Sequence, residues 1–185
     1  MKKKIIFLCP SLKIGGSEKV LTTILNHLDR SRFSISLALV KHEGQLIDQI
    51  PNDVNIIDFN SKRSRYILIK YLKLIWEIRP HIIFSTLGHL NIIVIMMKYL
   101  CPQKIKYICR ETNIPSIKYH NNPIKYIYKF LYLLFYRNYS SIICQSRDML
   151  DDLNNNFKIP NYKLSIINNP CDIDNINNRI KGDEI

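Results

Sequence analysis

Short apolar runs rich in β-branched residues alternate with longer stretches of helical periodicity from Lys4 to Ile167, and this alternation restricts the chain to one kind of architecture. Lys4–Cys9 is a continuous apolar run, as expected of a strand buried on both faces of a parallel sheet. Ser17–Leu28 follows, with Val20, Leu21, Ile24, Leu25 and Leu28 on one helical stripe. Further strands are predicted at Phe33–Val40, Val54–Phe59, His81–Thr86, Lys104–Arg110, Ser140–Gln145 and Lys163–Ile167. Helices are predicted at Gln45–Ile50, Ser64–Arg79, Leu90–Leu100, Pro123–Arg137 and Ser146–Phe157. Strands joined through helices require right-handed crossovers. The expected fold is therefore α/β and Rossmann-like, a doubly wound, mainly parallel sheet with helices on both faces. It is expected to occupy residues 1–170, with residues 171–185 as a polar tail too short for a second domain.

Charge narrows the partners. Lysine and arginine total 27 against 15 acids, a net charge of +12. Such an excess favours phosphates of a nucleotide or lipid, a membrane surface, or nucleic acid, the alternative being a basic surface with no partner. The cations are spread along the chain, and no RNP-like stretch, recognition-helix pattern or zinc spacing accompanies them, so nucleic acid is not expected. Five cysteines (Cys9, Cys101, Cys109, Cys144, Cys171) lack CxxC spacing, and most lie in or beside apolar runs. Buried free thiols in a reducing cytosol account for them better than disulfides or a metal. Lys2–Lys4 before Ile5–Cys9 superficially resembles a signal peptide, but the apolar run is short and meets Pro10. No segment has the ~18 uninterrupted apolar residues of a membrane span. A cytoplasmic location is expected.

In a doubly wound sheet, ligands bind at the carboxyl ends of the strands. Gly15-Gly16 directly before a helix lets backbone approach a ligand, and the helix N-terminus offers free amides to a phosphate. This is neither GxGxxG nor a Walker loop, and tight-turn geometry is an equal explanation. Polar residues also end the fourth to seventh strands, at Thr86–Asn91, Arg110–Asn113, Gln145–Asp148 and Asn168–Pro170. Singly each has an ordinary explanation: Ser146 suits a helix cap, and a lone loop histidine such as His89 is commonly structural. Together, on one edge of the sheet, they predict a binding cleft.

The chain resembles the family-4 retaining glycosyltransferases of the two-Rossmann (GT-B) architecture, from Lys3 to about Ile176. Gly15-Gly16-Ser17-Glu18-Lys19-Val20 is similar to the family's GG-x-E-[RK]-V opening, and Pro80-His81-Ile82-Ile83 to its RPD-V-V strand entry. Ile142–Ser146 with Asp151-Asp152-Leu153 resembles its last helix, and Lys163–Asp172 its K-x-x-V-I-x-N-P-x-D hinge. Within the family, the chain is most similar to enzymes that extend undecaprenyl-diphosphate-linked glycans for bacterial surface polysaccharides or glycoproteins.

The resemblance implies the N-terminal, acceptor-side half of a glycosyltransferase, with a nucleotide sugar and a lipid-linked saccharide as substrates and no cofactor or metal. It implies that Gly15 and Gly16 face the donor's diphosphate and sugar, and that Glu18 starts the following helix. His89 and Asn91 would line the sugar pocket. Arg110, Glu111 and Asn113 would lie near the reacting sugar, with His89 and Glu111 as the catalytic candidates. Where many relatives carry histidine after that glutamate, this sequence has Thr112. Ser146 and Asn168 complete the substrate-binding edge. The family grips the nucleotide with a C-terminal domain carrying a Glu-x7-Glu motif, which these residues do not include, so a separate donor half is an implied partner and the chain alone is expected to be inactive. The other reading is a catalytically incomplete binding or membrane-associated module that retains the fold. Lys125, Lys129 and Arg137 among Tyr126, Tyr128, Phe130, Tyr132, Phe135 and Tyr136 suit peripheral contact with an anionic inner-membrane surface, as do the cations around Tyr66, Tyr71 and Trp76.

Overall fold

A computed structural model describes residues 2–101 and 104–170; the expected tail at 171–185, with Cys171, lies outside the described residues. Seven strands form a single sheet: β1 (Lys3–Cys9), β2 (Phe33–Leu39), β3 (Asn55–Asp58), β4 (Ile82–Thr86), β5 (Lys106–Arg110), β6 (Ser141–Cys144) and β7 (Leu164–Ile166), in the order β3-β2-β1-β4-β5-β6-β7. Every pairing is parallel, so the sheet is wholly rather than mainly so. The central strand β1 buries five consecutive residues, Ile5–Cys9, because both of its faces are covered.

Among the described residues six α-helices cover the sheet unequally. α1 (Gly16–His27) packs Leu21 and Leu25 on one face, against Ile5, Phe7, Cys9, Leu37 and Phe84. α2 (Leu68–Ile78), α3 (Gly88–Met97), α5 (Lys125–Phe135) and α6 (Arg147–Phe157) lie on the other, over Ile6, Leu8, Ile83, Tyr107, Cys109, Ile142 and Cys144. Right-handed crossovers force this division: connections running from β1 towards β3 pass over one face, and those running from β3 to β7 pass over the other.

Local chemistry explains most boundaries. α2 stops where Arg79 adopts a left-handed conformation (φ 52°), its N–H reaching the Ile75 carbonyl, and Pro80 prevents continuation. Ser146 caps α6, its hydroxyl accepting from the Met149 N–H at 3.3 Å. The helix expected at Gln45–Ile50 is one 3-10 turn, Ile47–Gln49, and Ser64–Ile67 is a 3-10 turn leading into α2. Tertiary structure decides the first of these. Gly44 (φ 122°) lies so close to the Leu12 backbone that a Cβ would fall 2.1 Å from it, and Leu12 exchanges hydrogen bonds with Glu43 and Leu46. That ties the chain after β2 to the loop after β1. A short helix not expected from the sequence, α4 (Pro115–Lys118), starts on a proline, and the buried Asp152 of α6 accepts from its Ser116 N–H at 3.1 Å.

Candidate functional site

Strands β1 and β4 are neighbours, yet their following helices depart on opposite faces. The sheet therefore opens a crevice between the β1 and β4 loops, the switch point at which doubly wound sheets bind ligands. Five expected loops meet along this edge. Residues 10–15 end β1, 87–91 end β4, 110–113 end β5, 145–146 end β6, and 167–169 follow β7.

On the β1 side the edge is open. Gly15 is extended (φ −159°) and Gly16 opens α1, so neither needs glycine for its backbone conformation. Their value is space: a Cβ at Gly16 would meet nothing within 4 Å, and at Gly15 only the end of the flexible Glu18 side chain. Glu18 accepts a hydrogen bond from the Ser17 hydroxyl at 2.7 Å. Among the described residues no side chain caps α1, which leaves its first amides available to an outside acceptor.

On the β4 side the edge is strained and packed. Leu87, at the turn from β4 into α3, has φ 75°, a conformation that costs a bulky residue about 1–3 kcal/mol and that surrounding structure must impose. Packing is tight one residue on. A Cβ at Gly88 would fall 2.5 Å from the Tyr132 hydroxyl and 3.4 Å from Glu111 Oε2 and the Tyr119 hydroxyl. His89 stands exposed on the first turn of α3, its pKa lowered by partial desolvation and then by the Lys118 charge.

Glu111 differs from the sequence expectation. Its residue is 2% exposed, and its carboxyl group lies inside the protein, not over the cleft. Oε1 accepts from the Tyr136 hydroxyl, from the Tyr132 hydroxyl at 3.2 Å and from Asn91 Nδ2 at 3.2 Å. Burial raises its pKa against these hydrogen bonds, which favour the charged form. A carboxyl so enclosed ties α3 and the C-terminal end of α5 to the end of β5. Asn91 is likewise buried; its side-chain amide N–H also donates to the Arg110 carbonyl at 3.3 Å, while its backbone carbonyl accepts from the Tyr139 hydroxyl at 2.7 Å. It braces the interior beneath the expected sugar pocket without lining it.

The β5–β7 end is laced by side chains. Gln145 Nε2 donates to the Glu111 carbonyl at 2.8 Å, Asn169 Nδ2 donates to Gln145 Oε1 at 3.2 Å, and the Arg110 guanidinium donates to Asn169 Oδ1 at 2.6 Å. Asn169, not Asn168, makes this contact; Asn168 is exposed beside it. Asn113 is also exposed, donating only to the neighbouring Thr112 hydroxyl, and the Ser146 hydroxyl is engaged as a cap. The structure thus gathers Gly15, Gly16, Glu18, His89 and Arg110 at the crevice, turns Asn91 and Glu111 inward, and leaves Asn113, Ser146 and Asn168 along the outer rim. Sequence reading placed Gln145 and Asn169 within the cleft loops without singling them out, and passed over Tyr132 and Tyr136 as site-forming residues. The tyrosines carried a signal, since spacing of four places Tyr136, in the turn that follows α5, on the helical face of Tyr132.

Among the described residues no group of three His, Cys, Asp or Glu side chains is placed to hold a metal ion, and no helix is long and apolar enough to cross a membrane. Cys9, Cys101, Cys109 and Cys144 are buried free thiols, as the sequence suggested.

Comparison with known proteins places this geometry. The sequence is 29% identical, over 99% of its length, to the N-acetylgalactosamine-N,N'-diacetylbacillosaminyl-diphospho-undecaprenol 4-alpha-N-acetylgalactosaminyltransferase of Campylobacter jejuni, of which it covers 52%. The chain thus spans about half the length of that relative. Solved structures agree in fold. HepE of Anabaena, in complex with UDP and glucose, superposes with a TM-score of 0.66 at 18% identity, over 93% of this chain and 46% of that one. The lipopolysaccharide outer core galactosyltransferase WaaB does so with a TM-score of 0.67 at 10% identity, over 91% and 46% respectively. Residues 14–175, which run from the paired glycines to beyond the Arg110–Asn169 contact, match the family described as Glycosyltransferase Family 4, and the chain belongs to that family.

Proposed function

We propose that this chain is the acceptor-side half of a retaining glycosyltransferase that moves a sugar from a nucleotide sugar to a lipid-linked saccharide in bacterial surface glycan synthesis. The observation that carries the reading is the crevice between β1 and β4, floored by side-chain-free Gly15 and Gly16 and flanked by His89 and Arg110. The Campylobacter relative's name supports a polyprenyl-diphosphate acceptor, and the UDP in the Anabaena structure supports a nucleoside diphosphate donor. In the transfer, a bond forms between the anomeric carbon and an acceptor hydroxyl oxygen, and the bond from that carbon to the diphosphate breaks. The hydroxyl proton passes to the departing diphosphate. His89, held towards its neutral form, hydrogen-bonds a sugar hydroxyl, and the α1 amides face the diphosphate. No metal is assigned a role. A second half, covalently continuous or separate, supplies the nucleotide grip, since a closed, water-poor cleft needs both walls.

Peripheral attachment to an anionic inner-membrane leaflet belongs to the same reading. α5 carries aromatic and aliphatic residues on two faces: Tyr128, Tyr132 and, just past its end, Tyr136 face the core, while Tyr126 (74% exposed), Ile127, Phe130 (61% exposed) and Leu134 face outward beside Lys125 and Lys129. An outward apolar stripe flanked by cations suits a helix lying in the headgroup region.

Incubation of the chain with its donor half, labelled nucleotide sugars and polyprenyl-diphosphate glycan tests the activity. Label in the lipid fraction is expected only with both halves present. Transfer by the chain alone, or none with the pair, overturns the proposal. Flotation with phosphatidylglycerol vesicles tests the surface: binding at low salt is expected, and its loss on Phe130→Glu.

A further inference from the structure

A hollow of about 220 Å³ opens between α4, α5 and α6. None of its lining residues belongs to the loops that form the crevice, and two of them, Asn156 and Phe157, sit in the last turn of α6, whose first turn follows β6. The buried rings of Tyr119 and Phe157 lie at its base. His120, Lys125 and Lys129 stand around it, Ser116 and Asn156 add neutral polar groups, and no acid lines it among the described residues.

The walls are fixed to one another from beneath. The buried Asp152 accepts from the Ser116 N–H at 3.1 Å through one oxygen and from Asn156 Nδ2 at 2.7 Å through the other, which ties α4 to the end of α6. Tyr119 stacks on Tyr128 of α5, ring centroids 4.0 Å apart. A hollow formed before its ligand arrives binds at a lower ordering cost.

Size, charge and rim each restrict the occupant. The hollow is smaller than the roughly 300–1,000 Å³ of sites that enclose drug-sized ligands, and it suits a phosphate with one small polar substituent. Three basic side chains with no acid beside them favour an anion that carries no cationic group of its own. The rim separates a soluble phosphate from a lipid. Ile117 is 69% exposed and Tyr126 74%, and they continue into the outward stripe of α5 at Phe130. Exposed apolar residues around a cationic hollow gain nothing from a soluble phosphate, but are buried when the phosphate belongs to a bilayer.

We propose that this hollow seats the headgroup of one anionic phospholipid, the phosphate between His120, Lys125 and Lys129 and a hydroxylated substituent against Ser116 and Asn156. The seat rests on the peripheral-attachment reading and deepens it: attachment by stripe and charge alone responds to surface potential, whereas a seat responds to the identity of the headgroup.

Co-sedimentation of the chain with vesicles tests it, using phosphatidylglycerol or phosphatidylserine at equal mole fraction in phosphatidylcholine. The two compositions carry the same charge, but the serine headgroup brings an ammonium for which the hollow has no acid. Binding about tenfold tighter to phosphatidylglycerol is expected. Ser116→Phe, which fills the hollow without changing charge, is expected to abolish the preference and retain binding. Lys125→Gln with Lys129→Gln is expected to abolish it too. Lys62→Gln with Lys73→Gln, an equal loss of charge in and before α2, should weaken binding to both lipids and leave the preference intact. Equal binding of the parent to both lipids, or a preference that survives in both hollow variants, overturns the seat. Glycerol 3-phosphate that binds the lipid-free chain as tightly as vesicles do overturns the lipid as its occupant. A parent that binds neither vesicle overturns peripheral attachment itself, so the two failures are distinguishable.

Discussion

The two walls of the crevice have similar sequence texture and opposite physical character. Each opens on glycine and carries a polar or acidic residue within a few positions: Gly15-Gly16 with Glu18 after β1, and Gly88 with Asn91 after β4. On the β1 side the absent Cβ atoms leave open space, and Glu18 stays partly exposed. On the β4 side the absent Cβ admits the Tyr132 hydroxyl, and Asn91 joins Glu111 in a sealed network under α5. A glycine or an acid at the end of a strand therefore has no fixed meaning. What packs against it decides whether it serves a ligand or the fold.

The largest effect that would break this contrast concerns Glu111. Glu111→Ala leaves two tyrosine hydroxyls and the Asn91 amide without their acceptor, at about 1–3 kcal/mol for each buried group left unpaired. A loss of about 3 kcal/mol or more in urea unfolding is expected, and a loss below about 1 kcal/mol would return Glu111 to the cleft. Glu111→Gln keeps an acceptor oxygen and sharpens the point through pH. The folded-state pKa lies above the ordinary value of 4.5, so between the two the folded protein holds the proton that the unfolded chain has released. Stability from this group is thus full below 4.5 and falls as pH rises through the folded value. The stability difference between the parent and Glu111→Gln should follow that slope, and a flat difference would contradict the burial.

The glycines give the smaller effects. Gly88→Ala drives a methyl to within 2.5 Å of the Tyr132 hydroxyl, and overpacking of this kind costs about 1–3 kcal/mol in thermal or chemical unfolding. Gly16→Ala meets nothing and improves helix propensity, so its stability should be unchanged or higher by up to about 1 kcal/mol, while its transfer activity falls. Equal destabilisation by the two substitutions would erase the distinction between the walls.

The extent to which the site was legible follows from the same contrast. Cys9, Thr86 and Arg110 were recognisable as strand ends because apolar runs stop there, and the parallel order that aligns them follows from the alternation of strands and helices. Asn91 and Glu111 were misread because polarity at a strand's end signals proximity to the edge, not the direction of the side chain. Asn169 and Gln145 were placed on the edge by their loops, but their contacts were not legible because the partners lie 59 and 34 positions away in the chain. The 3-10 turn at Ile47–Gln49 replaced a longer predicted helix because the Leu12 backbone, remote in sequence, presses on Gly44.

The sequence by itself determined the parallel α/β layering, the positions of most strands and helices, and the edge on which the polar strand-end loops gather. Those properties depend on periodicity and on the handedness of local connections, which are written within a few residues of each element. Only the tertiary structure decided which polar groups turn to the crevice and which turn to the core. That choice depends on what α5 and the chain after β7 bring against each strand end, and packing between distant segments leaves no periodic trace in the chain.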